Sequence, residues 1–199
     1  MGRLAIVVVA LLVLGGGLAF LATQPAADLP PVPPSSQAAL EAEARVFAVF
    51  KAAEIKAVVR RAPEPVQVRL SDVELTSLAD SRLAQSATTS LHDAIVHGTS
   101  NGYFETVTDD DWNGWTLHVF AAGTVTIGAD GALHFDLREA RVGRLPLPSS
   151  AVDALVAQTE LATTVKLPPG AANLALQPVD GGAVLTATAS PSVSGLVGG

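Results

Sequence analysis

A thirteen-residue alternation of side chains, from Trp115 to Ile127, limits what this 199-residue chain can fold into more than any other feature. Successive side chains of a β-strand point to opposite faces, so the alternation predicts one long strand with an apolar face. Strands usually have about six residues, so a strand of this length must twist or bend, and Gly123 is the expected bend point. The odd positions that form the apolar face are Trp115, Leu117, Val119, Ala121, Gly123, Val125 and Ile127.

Turn signals divide the surrounding sequence into further antiparallel strands. Asn101-Gly102 predicts a hairpin turn of type I′, and Asp130-Gly131 predicts a second hairpin. Up to Leu137 the apolar residues occupy odd positions, and from Ala140 they occupy even positions. This change predicts a β-bulge near Arg138-Glu139. The other predicted strands are Leu91 to His97, Tyr103 to Thr108, Thr163 to Leu167, Asn173 to Gln177 and Ala183 to Ala189.

Two helices are predicted before this strand-rich region. Ser35 or Ser36 can cap a helix over residues 37–61, whose apolar stripe is Val46, Phe47, Phe50 and Ala53. A short strand with Val66, Val68 and Leu70 inward follows, and Ser71 with Glu74 then forms a capping box for the second helix. A further short helix is expected after Ser149 or Ser150. The order of elements indicates an α+β fold, in which a long helix packs on a curved antiparallel sheet.

The N-terminus carries an uncharged apolar segment, Leu4 to Ala22, which as a helix would be about 29 Å long. This length matches the hydrocarbon core of a bilayer, so we expect one transmembrane helix before the folded domain. Arg3 precedes the segment and no cation follows until Arg45, which predicts a cytoplasmic N-terminus and an extracytoplasmic domain. The alternative is a cleaved signal peptide, for which Ala26-Ala27 offers a cleavage context. The expected organisation is an anchor at 1–23, a Pro-rich linker at 24–36, a domain at 37–190 and a tail at 191–199.

Composition excludes several classes of function. The chain has no cysteine, so disulfides, thiolate metal sites and cysteine nucleophiles are excluded. Its formal net charge of -7 gives no basic footprint for nucleic acid, so no nucleic-acid partner is expected. With 49% hydrophobic and 16% charged residues, the chain does not have the composition of an intrinsically disordered protein.

Two segments carry a resemblance to known families. They are "LSDVELTSLAD" from Leu70 to Asp80, at the junction of a strand and a helix, and "VGRLPLPSSAVDAL" from Val142 to Leu155. Together with the predicted anchor and the run of strands, they resemble the YpmS-type and LmeA-type families of membrane-tethered or secreted bacterial proteins. These families are compared with tubular lipid-binding and AsmA-like domains. The resemblance covers roughly residues 37–190 and implies a sheet wrapped partly around a helix, an apolar groove able to hold an acyl chain, no cofactor and no nucleophile.

A candidate apolar groove follows from the long helix and the two longest alternating strands. Its lining could equally be ordinary core, because any sheet must bury one face. The candidate lining residues are Phe47, Phe50, Leu117, Val119, Val125, Leu133, Phe135 and Leu137.

Three other sequence features could carry chemistry, but none of them matches its motif fully. Asp109, Asp111 and Asn113 match the first half of a calcium loop, but Phe120 occupies the position of the bidentate acid, so a solvated hairpin turn is the alternative. Residues 98–102 match G-x-S-x-G, but they lie between two predicted strands and not between a strand and a helix. The four histidines show no zinc-binding spacing. No metal site, no cofactor and no enzymatic activity are therefore expected.

The sequence thus predicts a single-pass protein of the cell membrane, whose extracytoplasmic domain binds a lipid or another apolar ligand. The alternative is a structural or protein-interaction module of the cell envelope, with a solid core, a protein partner and no ligand.

Overall fold

In the part of the chain that it describes, the computed structural model shows an α+β fold with an antiparallel sheet of eight strands and two helices. The structure describes residues 21–85, 91–128, 133–148, 150, 152 and 170–191. The helices are α1 (Ser36–Arg60) and α2 (Asp72–Gln85). The strands are β1 (Glu64–Ser71), β2 (Leu91–Gly98), β3 (Phe104–Trp112), β4 (Trp115–Ile127), β5 (Leu133–Val142), β6 (Leu145–Pro146), β7 (Ala171–Val179) and β8 (Gly182–Ala189).

Helix α1 confirms the first predicted helix. The Ser35 side chain accepts a hydrogen bond from the Ala38 N–H, so Ser35 is the N-cap. At the other end Arg61 adopts the left-handed conformation, with φ 55°, and its N–H bonds back to the carbonyls of Ala57 and Val58. Both ends of the helix are therefore set by local hydrogen bonds, and the sequence predicted the one at the N-terminal end.

The predicted capping box is formed at the start of α2. The Glu74 carboxylate accepts from the Ser71 backbone N–H at 2.9 Å, and the Glu74 N–H donates to the Ser71 hydroxyl at 3.4 Å. The Arg45 guanidinium of α1 lies 2.7 Å from the same carboxylate. Burial raises the pKa of Glu74, but the hydrogen bonds from Ser71 and Arg45 outweigh it, and the pKa lies below its ordinary value of 4.5.

This network gives an expected pH dependence of stability. Glu74→Gln should lower the free energy of unfolding by about 1 kcal/mol at neutral pH, because the carboxylate loses its charge-assisted partners. Since the folded-state pKa is depressed, the carboxylate stabilises the fold above its unfolded-state pKa, and this contribution is lost as the pH falls through the folded-state pKa. Urea unfolding of the wild type and of Glu74→Gln should therefore give free energies of unfolding that converge as the pH becomes acidic. A difference that stays constant with pH would contradict this origin. Glu43→Gln is the control, because the Glu43 side chain is half exposed in its pair with Arg82.

Strand β4 organises the sheet. It covers the predicted residues 115–127 and pairs with β3 along one edge and with β5 along the other. Near its end Thr126 also pairs with Ala175 of β7, which continues to β8 and β1. Because β5 already occupies the second edge there, β3 and β7 follow each other along the same edge of β4. The sheet is therefore two groups of strands joined by β4.

The structure contains the predicted bulge in β5, whereas one of the predicted turns has a different geometry. Between β4 and β5 the register shifts at Ala122/Gly123, so that Arg138 is the extra residue, and the prediction of a bulge near Arg138-Glu139 is confirmed. The turn at Asn101-Gly102 exists, but only Gly102 has a positive φ, so the prediction of type I′ is wrong. The two-residue turn with positive φ at both positions is Asn113-Gly114, between β3 and β4.

Helix α2 covers the free edge of β2. Thr76 is fully buried, and its hydroxyl both accepts from the Val96 N–H at 2.9 Å and donates to the Val96 carbonyl at 3.3 Å. Asp72 accepts from the Gly98 N–H at 2.9 Å and lies 2.6 Å from the His97 ring. These side chains satisfy backbone groups that a neighbouring strand would otherwise bond, so the edge of the sheet is closed by the helix.

The core lies between α1, α2 and the strands β1 and β8. Alternate residues of β1 point inward, as predicted for Val66, Val68 and Leu70. Helix α1 packs on β1, β8 and α2. The buried cluster consists of Ala42, Phe50, Ala53, Val66, Val68, Leu70, Leu75, Phe104, Ala183, Leu185, Ala187 and Ala189.

The Pro-rich segment before α1 contacts the domain. The Leu21 carbonyl accepts from the Arg144 N–H at 3.0 Å, and the Pro30 carbonyl lies 3.1 Å from the His97 ring. Ala26 and Val32 are buried. Residues 21–35 therefore lie along the folded domain up to the start of α1.

Several predictions fall outside the described residues or only partly within them. They concern the Asp130-Gly131 turn, the strand at Thr163–Leu167, most of the helix after Ser149 or Ser150, most of the tail and nearly all of the predicted anchor. A search of the described residues for a helix long and apolar enough to cross a membrane found none.

Candidate functional site

The predicted apolar face of the sheet is present on β4 and β5. The register pairs Gly123 with Leu137 and Val125 with Phe135, and residues directly opposite in an antiparallel pair share a face. We call this side of the two strands the inner face. It carries the candidate residues Leu117, Val119, Val125, Phe135 and Leu137. The candidate Leu133 pairs with Ile127 through its backbone, and its side chain lies outside the described part of the structure.

The inner face is only partly covered by the described elements. Val119 is buried, whereas Leu117, Val125, Phe135 and Leu137 are half-buried. Val125 touches the buried cluster, but neither described helix packs broadly across β4 or β5, because α1 lies on β1 and β8 and α2 lies on β2. The apolar residues of the inner face therefore join the core at Val125, and on β5 they form a half-buried apolar surface outside the core.

Helix α1 separates the two candidate phenylalanines. Phe50 is buried in the core against β1 and β8. Phe47 is 55% exposed, with the Lys51 ammonium 5.9 Å from its ring centroid. Phe47 therefore faces away from the sheet and does not line a groove with the inner face.

The side of α1 that carries Phe47 has exposed apolar side chains along its length, with Lys51 beside Phe47. Its large side chains are spaced by seven, eight and four residues, which places them on one side of a helix. We call this surface the outer face of α1. It contains Leu40, Phe47, Ile55 and Val59, which are 67%, 55%, 61% and 77% exposed.

A cavity of about 290 Å³ lies between the start of α1 and the end of α2. Its lining includes Ser36, Ser81 and Gln85, and the ion pair of Arg82 with Glu43 joins its two walls at 3.1 Å. Ala39 and Leu40 also line the cavity, but its ion pair and its three polar side chains suit water better than an acyl chain.

The candidate calcium ligands do not form a calcium loop. Asp109 and Asp111 lie on the extended strand β3, where residues two apart are separated by about 6.6 Å. Their carboxylates bond to different partners, Asp109 to His118 and Asp111 to Thr116. Asn113 is in the tight turn with Gly114. The acidic run is therefore a strand and a hairpin turn, as the alternative interpretation held.

The G-x-S-x-G pattern is a hairpin turn. It follows β2 and precedes β3, with the Thr99 N–H bonded to the Tyr103 carbonyl at 2.9 Å. The strand, sharp turn and helix of a nucleophile elbow are not formed by these residues.

Two histidine–aspartate pairs in the structure follow no zinc-binding spacing and were not predicted from the sequence. His97 lies 2.6 Å from Asp72, and His118 lies 2.6 Å from Asp109. The second pair could have been found from the sequence, because residues equally distant from a two-residue Asn-Gly turn face each other in a hairpin.

Comparison with models of protein families, with curated proteins and with solved structures finds no match for this chain.

Proposed function

We propose that this protein binds a lipid, whose acyl chain lies along the inner face of β4 and β5. The observation that supports the proposal is the half-buried apolar row of Leu117, Val125, Phe135 and Leu137, which neither described helix covers broadly. An apolar surface of this kind is stabilised by removing it from water, and an acyl chain provides the matching apolar area.

The dimensions of the inner face suit an acyl chain. Strand β4 has 13 residues and therefore extends over about 40 Å. One leaflet of a bilayer contributes about 15 Å of hydrocarbon, so the face is longer than the chain that it would hold. The described residues that β4 and β5 place on this side are apolar, so they present no charge to an acyl chain. Strand β3 contributes one acid to this side, Asp110, which lies opposite Leu117 at one end of the row.

The proposal includes the membrane location. Residues 4–22 would form a single transmembrane helix with its N-terminus in the cytoplasm, following Arg3, and the domain would be extracytoplasmic. Because the Leu21 carbonyl is bonded to the Arg144 N–H, a helix ending there would hold the domain next to the bilayer. A lipid could then exchange between the bilayer and the domain by a short path. We propose binding without catalysis.

The test is photo-crosslinking with a diazirine-labelled fatty acid on the full-length chain in lipid nanodiscs. Mass spectrometry of the peptides should place the label on β4 and β5. Phe135→Ser should reduce labelling roughly ten- to a hundredfold, because a buried phenylalanine contact contributes about 1.5–3 kcal/mol. Phe47→Ser is the matched control, since it makes the same change on the outer face of α1. Label confined to α1, or equal labelling of Phe135→Ser and the wild type, would contradict the proposal.

The outer face of α1 supports a second candidate function, contact with an anionic membrane surface. Residues 51–61 contain four cations, Lys51, Lys56, Arg60 and Arg61, and one acid, Glu54, in a chain whose net charge is -7. An exposed apolar face beside a local excess of positive charge suits an anionic membrane surface. In the same experiment this candidate predicts label on α1 and a loss of labelling in Phe47→Ser alone.

A further inference from the structure

A cluster of metal-binding side chains lies where β2 meets β3. His92 and Asp93 are consecutive residues of β2, and Asp109 is opposite His92 in the register of β3. The imidazole and the two carboxylates each offer a ligand atom, and these three atoms lie within 4.8 Å of one another. They are close enough together to contact one ion.

A β-bulge brings the three side chains to one place. Consecutive residues of a regular strand point to opposite faces, so His92 and Asp93 would normally be separated by the sheet. The register between β2 and β3 shifts between His92 and Ile95, and Asp93 adopts the left-handed conformation with φ 49°. The shift places the Asp93 carboxylate 3.7 Å from the His92 ring nitrogen Nε2. Bulges commonly redirect a side chain in this way.

A second histidine supports the cluster from the next strand. His118 of β4 is opposite Asp109, and its Nδ1 lies 2.6 Å from the Asp109 carboxylate. The His118 and Asp109 side chains are 31% and 23% exposed, so most of each side chain is packed against the sheet. In metal sites, carboxylate ligands are commonly oriented by such an outer hydrogen bond.

We propose that His92, Asp93 and Asp109 bind a divalent transition-metal ion, for which zinc is the best match. One imidazole nitrogen and two carboxylate oxygens form a mixed donor set, whereas calcium and magnesium prefer oxygen ligands alone. The His92 and Asp93 side chains are 41% and 73% exposed, so water can fill a remaining coordination position. His118 acts as a positioning residue for Asp109.

This site is separate from the lipid-binding face. In β4 the inner face carries the odd-numbered residues, whereas His118 is even-numbered and lies on the opposite side with Asp109 and His92. Binding of the ion would tie β2 to β3 at the bulge, where their regular pairing is interrupted. The site therefore does not depend on the proposed function.

The test is equilibrium dialysis of the full-length chain against zinc, with metal analysis and with a purification tag that contains no histidine. The wild type should bind one zinc ion per chain. His92→Ala, Asp93→Asn and Asp109→Asn should each weaken binding at least tenfold, and His118→Ala should weaken it by about 10- to 100-fold. Cobalt absorption spectra of the same variants give a readout of the ligand geometry.

Asp111→Asn is the matched control. Asp111 lies two residues from Asp109 on β3, but its carboxylate bonds to Thr116 and is not part of the cluster. It should leave zinc affinity unchanged. The proposal is overturned if the wild type binds no stoichiometric zinc, if His92→Ala and Asp93→Asn bind as well as the wild type, or if Asp111→Asn weakens binding as much as Asp109→Asn. Circular dichroism of each variant without metal verifies that it is folded.

Discussion

Thr76→Val should lower the free energy of unfolding by about 3 kcal/mol, although valine and threonine have nearly the same shape. The threonine hydroxyl is fully buried and bonds both the N–H and the carbonyl of Val96. Valine would leave both backbone groups without this partner. An unsatisfied buried polar group costs about 1–3 kcal/mol, and this substitution creates two of them.

The measurement is urea unfolding followed by the fluorescence of the two tryptophans. Thr76→Ser is the control, because serine keeps the hydroxyl and loses one methyl group. The serine variant should retain most of the stability that the valine variant loses. If the serine variant were the less stable of the two, the methyl group and not the hydroxyl would hold α2 on β2, and this account of the sheet edge would be wrong.

Gly98→Ala should also lower the free energy of unfolding by about 3 kcal/mol, because it introduces a methyl group where the backbone is already in close contact. A Cβ at Gly98 would overlap the carbonyl oxygen of Gly182 and lie 2.5 Å from that of Val179. Both obstacles are backbone atoms of the turn between β7 and β8, so a change of side-chain rotamer cannot remove them. The Gly98 carbonyl also accepts from the Gly181 N–H at 3.3 Å, and the necessary shift would break this bond.

Gly102→Asn tests whether the effect is specific to this contact. Gly102 has φ 82°, a conformation that asparagine tolerates better than most residues, and a Cβ there meets nothing within 4 Å. We expect a loss below about 1 kcal/mol for this variant. Thermal unfolding of both variants gives the comparison. Equal losses would show that the end of β2 does not pack on the β7–β8 turn as closely as described.

Local features of this fold were predictable because each depends on residues that are near one another in the chain. Alternation predicted β4 from Trp115 to Ile127, and the change of phase after Leu137 predicted the bulge at Arg138. The capping box of Ser71 and Glu74 was predictable because its partners are three residues apart. The exception is the turn at Asn101-Gly102, where the dipeptide predicted the turn but not its type.

Of the candidate site, the sequence predicted correctly only the part that lies on the sheet. Alternation correctly placed Leu117, Val125 and Leu137 on one face, because a strand has only two faces. Helix α1 gave no such certainty, because apolar residues occur on more than one of its sides. Phe47 and Phe50 are three residues apart and both fit an apolar stripe, but packing on β1 and β8 buries only Phe50.

The sequence alone determined the length of β4, the starts of the two helices and the position of the bulge in β5, since short-range sterics and hydrogen bonds decide them. It did not determine the length of every strand, because β3 and β7 extend beyond their predicted ends. Tertiary structure alone decided which distant segments meet. Glu64 pairs with Ala189, and α2 rather than another strand covers the edge of β2. The cluster of His92, Asp93 and Asp109 belongs to the same group, because it requires both a bulge in β2 and a register with β3. Such contacts depend on competition among all the apolar faces of the chain, which no local pattern records.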